Sequence, residues 1–232
     1  MRIQIHADAD AVAKQAAKII AAEARSAVAA RGRFILAVSG GRTPWQMLRA
    51  LANEEVPWRS LHVVQVDERI EPAGDPNRNL THLRESLLSH APLPPDHIHA
   101  MLVEEKDLEA AARCYALTLQ QIAGSPPVLD LVHLGLGSDG HTASLVPNDP
   151  VLNITDRDVA LTGVYMGRRR MTLTYPMINR SRGILWVVTG TEKVGMLPRL
   201  RDGDATIPAG RIRPENALLL ADRLAAANLS VK

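Results

Sequence analysis

Val128-Leu-Asp-Leu-Val-His-Leu134 runs straight into Gly135-Leu-Gly-Ser-Asp-Gly-His-Thr-Ala-Ser-Leu-Val-Pro147. The first half is a short, mostly apolar run, which reads as a strand buried on both faces. The second half opens with Gly135, Gly137 and Gly140, the G-x-G-x-x-G spacing of a dinucleotide-binding turn. Such a fingerprint also needs a long helix directly after the turn, so that free backbone N–H groups face a pyrophosphate. Here Pro147 and Pro150 follow within a few residues, so any helix is short. Asp156 and Asp158 stand at about the right distance for a ribose contact, but in a polar stretch rather than at a strand end. The segment is not a nucleophile elbow, since Leu136 precedes Ser138 where glycine is required. What remains is a flexible turn at a strand end carrying Asp139, His141, Thr142 and Ser144. An imidazole titrates near neutrality and can serve as a general base.

Working outward, the same strand–turn–helix grammar repeats. Residues 11–31 place Val12, Ala16, Ile19, Ile20, Ala24, Ala27 and Val28 at helical spacing, with Asp8 or Asp10 to cap the start and Gly32 to end it. Phe34–Val38 is a continuous apolar run that enters the turn Ser39-Gly-Gly-Arg-Thr-Pro44, and a helix is predicted to about Ala52. Leu61–Val66 is the next predicted strand, with Asp67-Glu-Arg69 at its end. A Pro/Gly/Asp loop over 70–76 leads to a helix with Leu80, Leu83, Leu87 and Leu88 on one face. Further strands are expected at 97–101, 170–174, 183–188 and 217–221. Further helices are expected at 106–123 and 192–200, with a short one at the C-terminus. Alternating elements with apolar strands imply an α/β fold: a largely parallel sheet covered by helices on both sides. In such sheets sites form at the C-terminal ends of the strands. The turns at 39–44, 67–69, 135–144 and 189–193 are all expected there.

Composition narrows the class of function. The chain has 232 residues, 46% of them hydrophobic, which suits one domain spanning 1–232. The balance of 27 basic against 25 acidic residues gives no case for nucleic-acid binding. A single cysteine, Cys114, excludes an intramolecular disulfide framework. The opening MRIQIHADAD lacks an apolar run behind a basic cap, and no stretch of about 18 apolar residues occurs. A cytoplasmic protein without membrane partners is therefore the expectation. His97 and His99 alternate on a short predicted strand, but no acidic or cysteine partner stands with them, so no metal site is expected.

The motif-bearing segments stand in a fixed order: Val38-Ser-Gly-Gly-Arg-Thr-Pro44, Asp67-Glu-Arg69, Asp75-Pro-Asn-Arg-Asn79, Gly135–Leu145, Arg170-Met-Thr-Leu-Thr174 and Thr189-Gly-Thr-Glu-Lys193. Together, over about residues 30–200, they closely resemble the 6-phosphogluconolactonases, within a wider group that includes glucosamine-6-phosphate deaminases. The resemblance implies a Rossmann-like three-layer α/β/α fold. It also implies hydrolysis of 6-phospho-D-glucono-1,5-lactone without metal or other cofactor. Deaminases of the group resemble Gly-His-Ile-Ala-Phe-Asn-Glu-Pro at the histidine turn; this chain has Val146 at the glutamate position. Arg69 likewise stands where those deaminases tend to have tyrosine.

The resemblance makes His141 the base that activates water, with Asp139 or Asp67 to orient it and Asp139 favoured by proximity. The turn Gly40-Gly41-Arg42-Thr43 leads into a helix N-terminus, which favours a phosphate. Arg42 departs from the small residue common there in relatives, so its backbone rather than its side chain is expected to bind. Arg69, Arg170 and Lys193 are the cationic candidates for the phosphate. Two rival readings follow from the same group: a sugar-phosphate isomerase or deaminase, and a non-catalytic sugar-phosphate sensor. Oligomeric state is not encoded in any motif; a monomer is the expectation.

Overall fold

The computed structural model describes residues 1–229. Seven parallel strands form the main sheet: β1 (Arg2–His6), β2 (Phe34–Val38), β3 (Leu61–Gln65), β5 (Ile98–His99), β6 (Leu131–Leu134), β9 (Gly183–Val188) and β10 (Ala217–Asp222). Their order is β1-β10-β9-β6-β2-β3-β5. The helices are α1 (Ala9–Arg31), α2 (Arg42–Leu51), α3 (Asn79–Leu83), α4 (Leu108–Ala123), α5 (Tyr175–Asn179) and α6 (Met196–Arg201).

The period of two along each strand builds the layers. Phe34, Leu36 and Val38 pack with α1 and α2, while Ile35 and Ala37 face the cluster that holds α4, α5 and α6. Strand β9 splits the same way, Leu185 and Val187 against Ile184, Trp186 and Val188. Both faces of the sheet are therefore covered, which is why its strands read as unbroken apolar runs. Helix α1 starts where Asp8 accepts the Ala11 N–H at 2.9 Å and stops at Gly32, whose φ is +76°.

The structure departs from the sequence expectation in one place that matters. Asp67–Arg69 is a strand of its own, β4, and Arg170–Leu173 is β8; with β7 (Val159–Leu161) they form a small antiparallel sheet apart from the main one. Val66 makes the turn between sheets: its N–H donates to Val38 O, and its carbonyl accepts from Leu173 N–H. Segments this short carry too little periodicity to reveal which sheet they join. The register sets Arg69 opposite Arg170 and Asp67 opposite Thr172.

Two helix expectations also change. The 192–200 segment splits into a 3₁₀ turn at Thr191–Lys193 and α6. After β10 the chain makes turns over 223–228 rather than a helix, and residues 230–232 lie outside the described part. No helix among the described residues is long and apolar enough to cross a membrane.

Candidate active site

The C-terminal ends of β2, β6, β9 and β10 open onto a cleft of about 720 Å³, within the range of small-molecule sites. The small sheet walls it with Asp67, Arg69 and Arg170.

The turn after β6 carries the candidate base, His141. The His141 Nδ1–H donates to Asp139 Oδ1 at 2.6 Å, and the His141 backbone N–H donates to the same oxygen at 3.1 Å. With its proton held on Nδ1, the neutral ring carries its lone pair on Nε2. Burial pushes the Asp139 carboxyl up. The facing His141, its N–H groups and a phenol donor outweigh this and hold it below the usual carboxylate range.

The glycine spacing now has a cause. A β-carbon on Gly137 would lie 2.1 Å from His141 Nδ1 and 2.7 Å from Asp139 Oδ1. Glycine is needed there so that the imidazole and carboxylate can sit against the backbone, not so that a pyrophosphate can. The first helical turn after Gly140 is the 3₁₀ segment Pro150–Asn153, so no long helix faces the motif.

Asp67 does not orient His141. It sits on β4, 4% exposed, where it accepts from Ser144 Oγ at 2.5 Å and from Asn79 Nδ2 at 3.3 Å. Its charge faces Arg170, whose Nη1 lies 3.5 Å from Ser144 Oγ. Asp67 therefore braces the wall of the cleft, and Asp139 alone bonds the imidazole among the described residues.

The other end of the cleft gathers anion donors. Helix α2 begins at Gly41 with no side-chain cap and no acidic residue in its first turn. The turn Gly40–Thr43 thus presents free N–H groups and the positive end of the helix. The Arg42 side chain is exposed, consistent with a backbone role, and Thr43 Oγ1 bonds Thr189 Oγ1 at 2.6 Å. That bond brings the 189–193 turn, and with it Lys193, to the same end. The Asp222 carboxylate accepts the Gly190 N–H and sets this turn.

Arg69 reaches the same region through Asn79: Arg69 Nη1 donates to Asn79 Oδ1 at 2.5 Å, and Asn79 packs so tightly on Gly40 that a β-carbon there would meet Oδ1 at 1.9 Å. Arg170 is 7% exposed, with its guanidinium 5.0 Å from the centre of the Tyr165 ring. It stands opposite Arg69 in the small sheet.

Several supports were not visible as site residues in the sequence. Glu68 is fully buried and accepts the backbone N–H groups of Arg69, Asn79 and Leu80, each at 2.8 Å, while Arg78 pairs with it at 3.4 Å. This explains why Asp67-Glu-Arg69 and Asp75-Pro-Asn-Arg-Asn79 occur together. His133, fully buried on β6, accepts the Ser39 N–H at 3.2 Å on Nδ1. Burial holds its imidazole down at about 3, so it is neutral and can act as an acceptor. Tyr165 donates to Asp139 Oδ2 at 2.8 Å. Its only signal in the sequence is an aromatic residue in a glycine-flanked loop of a chain that is 3% aromatic.

His62, His97 and His99 cluster away from the cleft. The His62 and His97 rings stack at 3.9 Å, and His62 Nδ1 lies 3.1 Å from His99 Nε2. No group of three or more metal-ligating side chains suited to a metal ion occurs among the described residues.

Comparison with known proteins gives the family. The family model for glucosamine-6-phosphate isomerases/6-phosphogluconolactonase matches residues 7–221. The chain belongs to this family. A 6-phosphogluconolactonase of Synechocystis is 38% identical over 211 residues, covering 88% of each chain. One of Mycobacterium tuberculosis is 36% identical, covering 98% of each. Among solved structures, the 6-phosphogluconolactonase of Trypanosoma brucei superposes with a TM-score of 0.87 at 25% identity, covering 99% of this chain and 98% of that one. A monomeric glucosamine-6-phosphate deaminase shares the fold, with a TM-score of 0.85 at 20% identity, covering 98% of this chain and 100% of that one.

Proposed function

We propose that this chain hydrolyses 6-phospho-D-glucono-1,5-lactone to 6-phospho-D-gluconate, the lactone-opening step of the oxidative pentose phosphate pathway, with His141 as general base. The observation that carries this reading is the Asp139–His141 pair at the strand-end cleft, where Asp139 is the one carboxylate bonded to the imidazole among the described residues. The position where deaminases of the family carry glutamate is Val146, which is buried and cannot move a proton. Isomerisation with loss of an amine needs several proton transfers; lactone hydrolysis can run through one base.

The geometry supports the following steps. The phosphate of the substrate docks on the Gly40–Thr43 turn with Arg69 and Lys193. His141 Nε2 takes a proton from water, and the water oxygen attacks the C1 carbonyl. Asp139 stabilises the imidazolium that forms. Arg170, which lines the same cleft beside Tyr165, donates to the tetrahedral oxyanion in this reading. Collapse expels the ring oxygen, which takes the proton back from His141.

The test is lactone hydrolysis. Glucose-6-phosphate dehydrogenase generates the lactone in situ, and 6-phosphogluconate dehydrogenase reports the product, beside a no-enzyme control. Acceleration by wild type that falls about 10²–10⁴-fold in His141→Ala is the expected result. Equal activity in the two proteins sinks the mechanism. No acceleration, with 6-phosphogluconate still bound, points instead to a sensor.

A further inference from the structure

The β7–β8 connection is a hairpin that reaches over the cleft. Tyr165 and Arg168 close it with hydrogen bonds in both directions, Tyr165 N–H to Arg168 O at 2.9 Å and Arg168 N–H to Tyr165 O at 3.2 Å. Met166 and Gly167 at its tip have φ of +50° and +79°. Both central residues at positive φ make the kind of tight turn that matches strand twist. The Arg168 guanidinium pairs with Glu71, which ties the hairpin to the far side of the small sheet. At the base, Thr162 N–H donates to Arg170 O at 2.9 Å. This frame delivers one side chain to the catalytic pair.

We propose that Tyr165 is a positioning residue for His141, acting through Asp139, in the reaction assigned above. The two oxygens of Asp139 have divided duties: Oδ1 accepts from His141, and Oδ2 accepts the Tyr165 hydroxyl proton at 2.8 Å. A carboxylate only two residues from the imidazole, on an irregular turn, would otherwise rotate about its own side-chain bonds. The phenol pins it. The Tyr165 ring also meets the His141 ring edge-on, with centroids 5.6 Å apart and planes at 65°, and carries the Arg170 guanidinium on its face. One side chain thus touches the carboxylate, the base and the cation that flanks them.

The hydrogen bond has a second effect. It draws negative charge toward Oδ2, so less is left to hold the imidazolium. The charged groups that face this cluster are Arg170 on β8, with Asp67 and Arg69 of β4 and Arg168 of the hairpin beside it. None of them bonds Asp139 among the described residues, so the phenol is its second side-chain partner after His141.

Tyr165→Phe removes the hydroxyl and keeps both ring contacts. In the lactone assay it lowers kcat about tenfold, as expected for losing a hydrogen bond to a charged group, and leaves KM within about twofold. The acid limb of the pH profile moves to higher pH, because the freed carboxylate holds the imidazolium more tightly. In an Asp139→Asn background the same substitution costs nothing further. A structural role for the ring alone leaves kcat and the profile of Tyr165→Phe unchanged, and an equal loss in both backgrounds places the effect outside Asp139; either result overturns the inference. Because the inference rests on the proposed reaction, the His141 ring-proton NMR titration of the free protein is run in parallel. It needs no substrate. A curve that moves to higher pH in Tyr165→Phe supports the link, an unmoved one overturns it, and failure of wild type to open the lactone counts against the reaction alone.

Discussion

Gly137→Ala adds a single methyl group where the turn carrying His141 is crowded. The new carbon would stand 2.1 Å from His141 Nδ1 and 2.7 Å from Asp139 Oδ1. Ordinary contact needs roughly 3.4 Å or more between such atoms. The imidazole must therefore retreat by about 1 Å, and the carboxylate by somewhat less. Gly137 is absent from the positive-φ residues, so alanine suits its backbone and the cost falls on the pair. Both side chains are partly exposed, 26% and 37%, so they can swing toward solvent without opening the core. A misplacement of about 1 Å at a reacting group costs on the order of 10²-fold, or about 2.7 kcal/mol of transition-state stabilisation. We expect Gly137→Ala to lower kcat by about that factor, with KM and thermal midpoint close to wild type. Gly135→Ala is the matched control, since nothing lies within 4 Å of its added carbon. The assay is coupled lactone hydrolysis with a melting curve on each protein. A Gly137→Ala enzyme within about threefold of wild-type kcat would refute the claim that this glycine exists to seat the pair.

The phosphate end and the core give two more tests. Lys193→Ala raises KM about tenfold or more while kcat stays within about threefold, if the lysine contributes uniform binding; a fall in kcat alone would move it to the reacting end. His133 gives an acid-stability prediction, read from urea unfolding between pH 7 and pH 4. Its folded imidazole titrates at about 3, against the ordinary value of 6.5 in the unfolded chain. The unfolded state therefore binds the proton first, and stability present above about pH 6.5 is lost as the pH falls toward 3. By pH 5 the loss from this group is about 2 kcal/mol. His133→Asn flattens that slope, and an unchanged slope would show that His133 does not titrate on unfolding.

Much of this was legible from residue patterns. Phe34–Val38 and Gly183–Val188 are apolar throughout because both faces of a parallel strand meet helices, and that pattern survives in a bare sequence. The turn Gly40-Gly41-Arg42-Thr43 and the closeness of Asp139 to His141 were legible for a different reason: a glycine turn before a helix, and an acid two residues from a histidine, are local features within a few residues. Asp67 misled for the converse reason. Its neighbours along the chain say strand end, but its partners are Ser144 and Asn79, which lie 77 and 12 residues away.

The sequence by itself determined the layers of the fold and the strand-end location of the cleft, because these depend on periodicity and on groups close in the chain. Only the tertiary structure decided which carboxylate serves His141, where Arg69 and Arg170 stand, and that Tyr165 caps the pair. Each of those depends on the small antiparallel sheet, whose strands pair Asp67–Arg69 with Arg170–Leu173 across about a hundred residues of chain. Contacts at that range are set by packing of the whole molecule, and no local pattern encodes them.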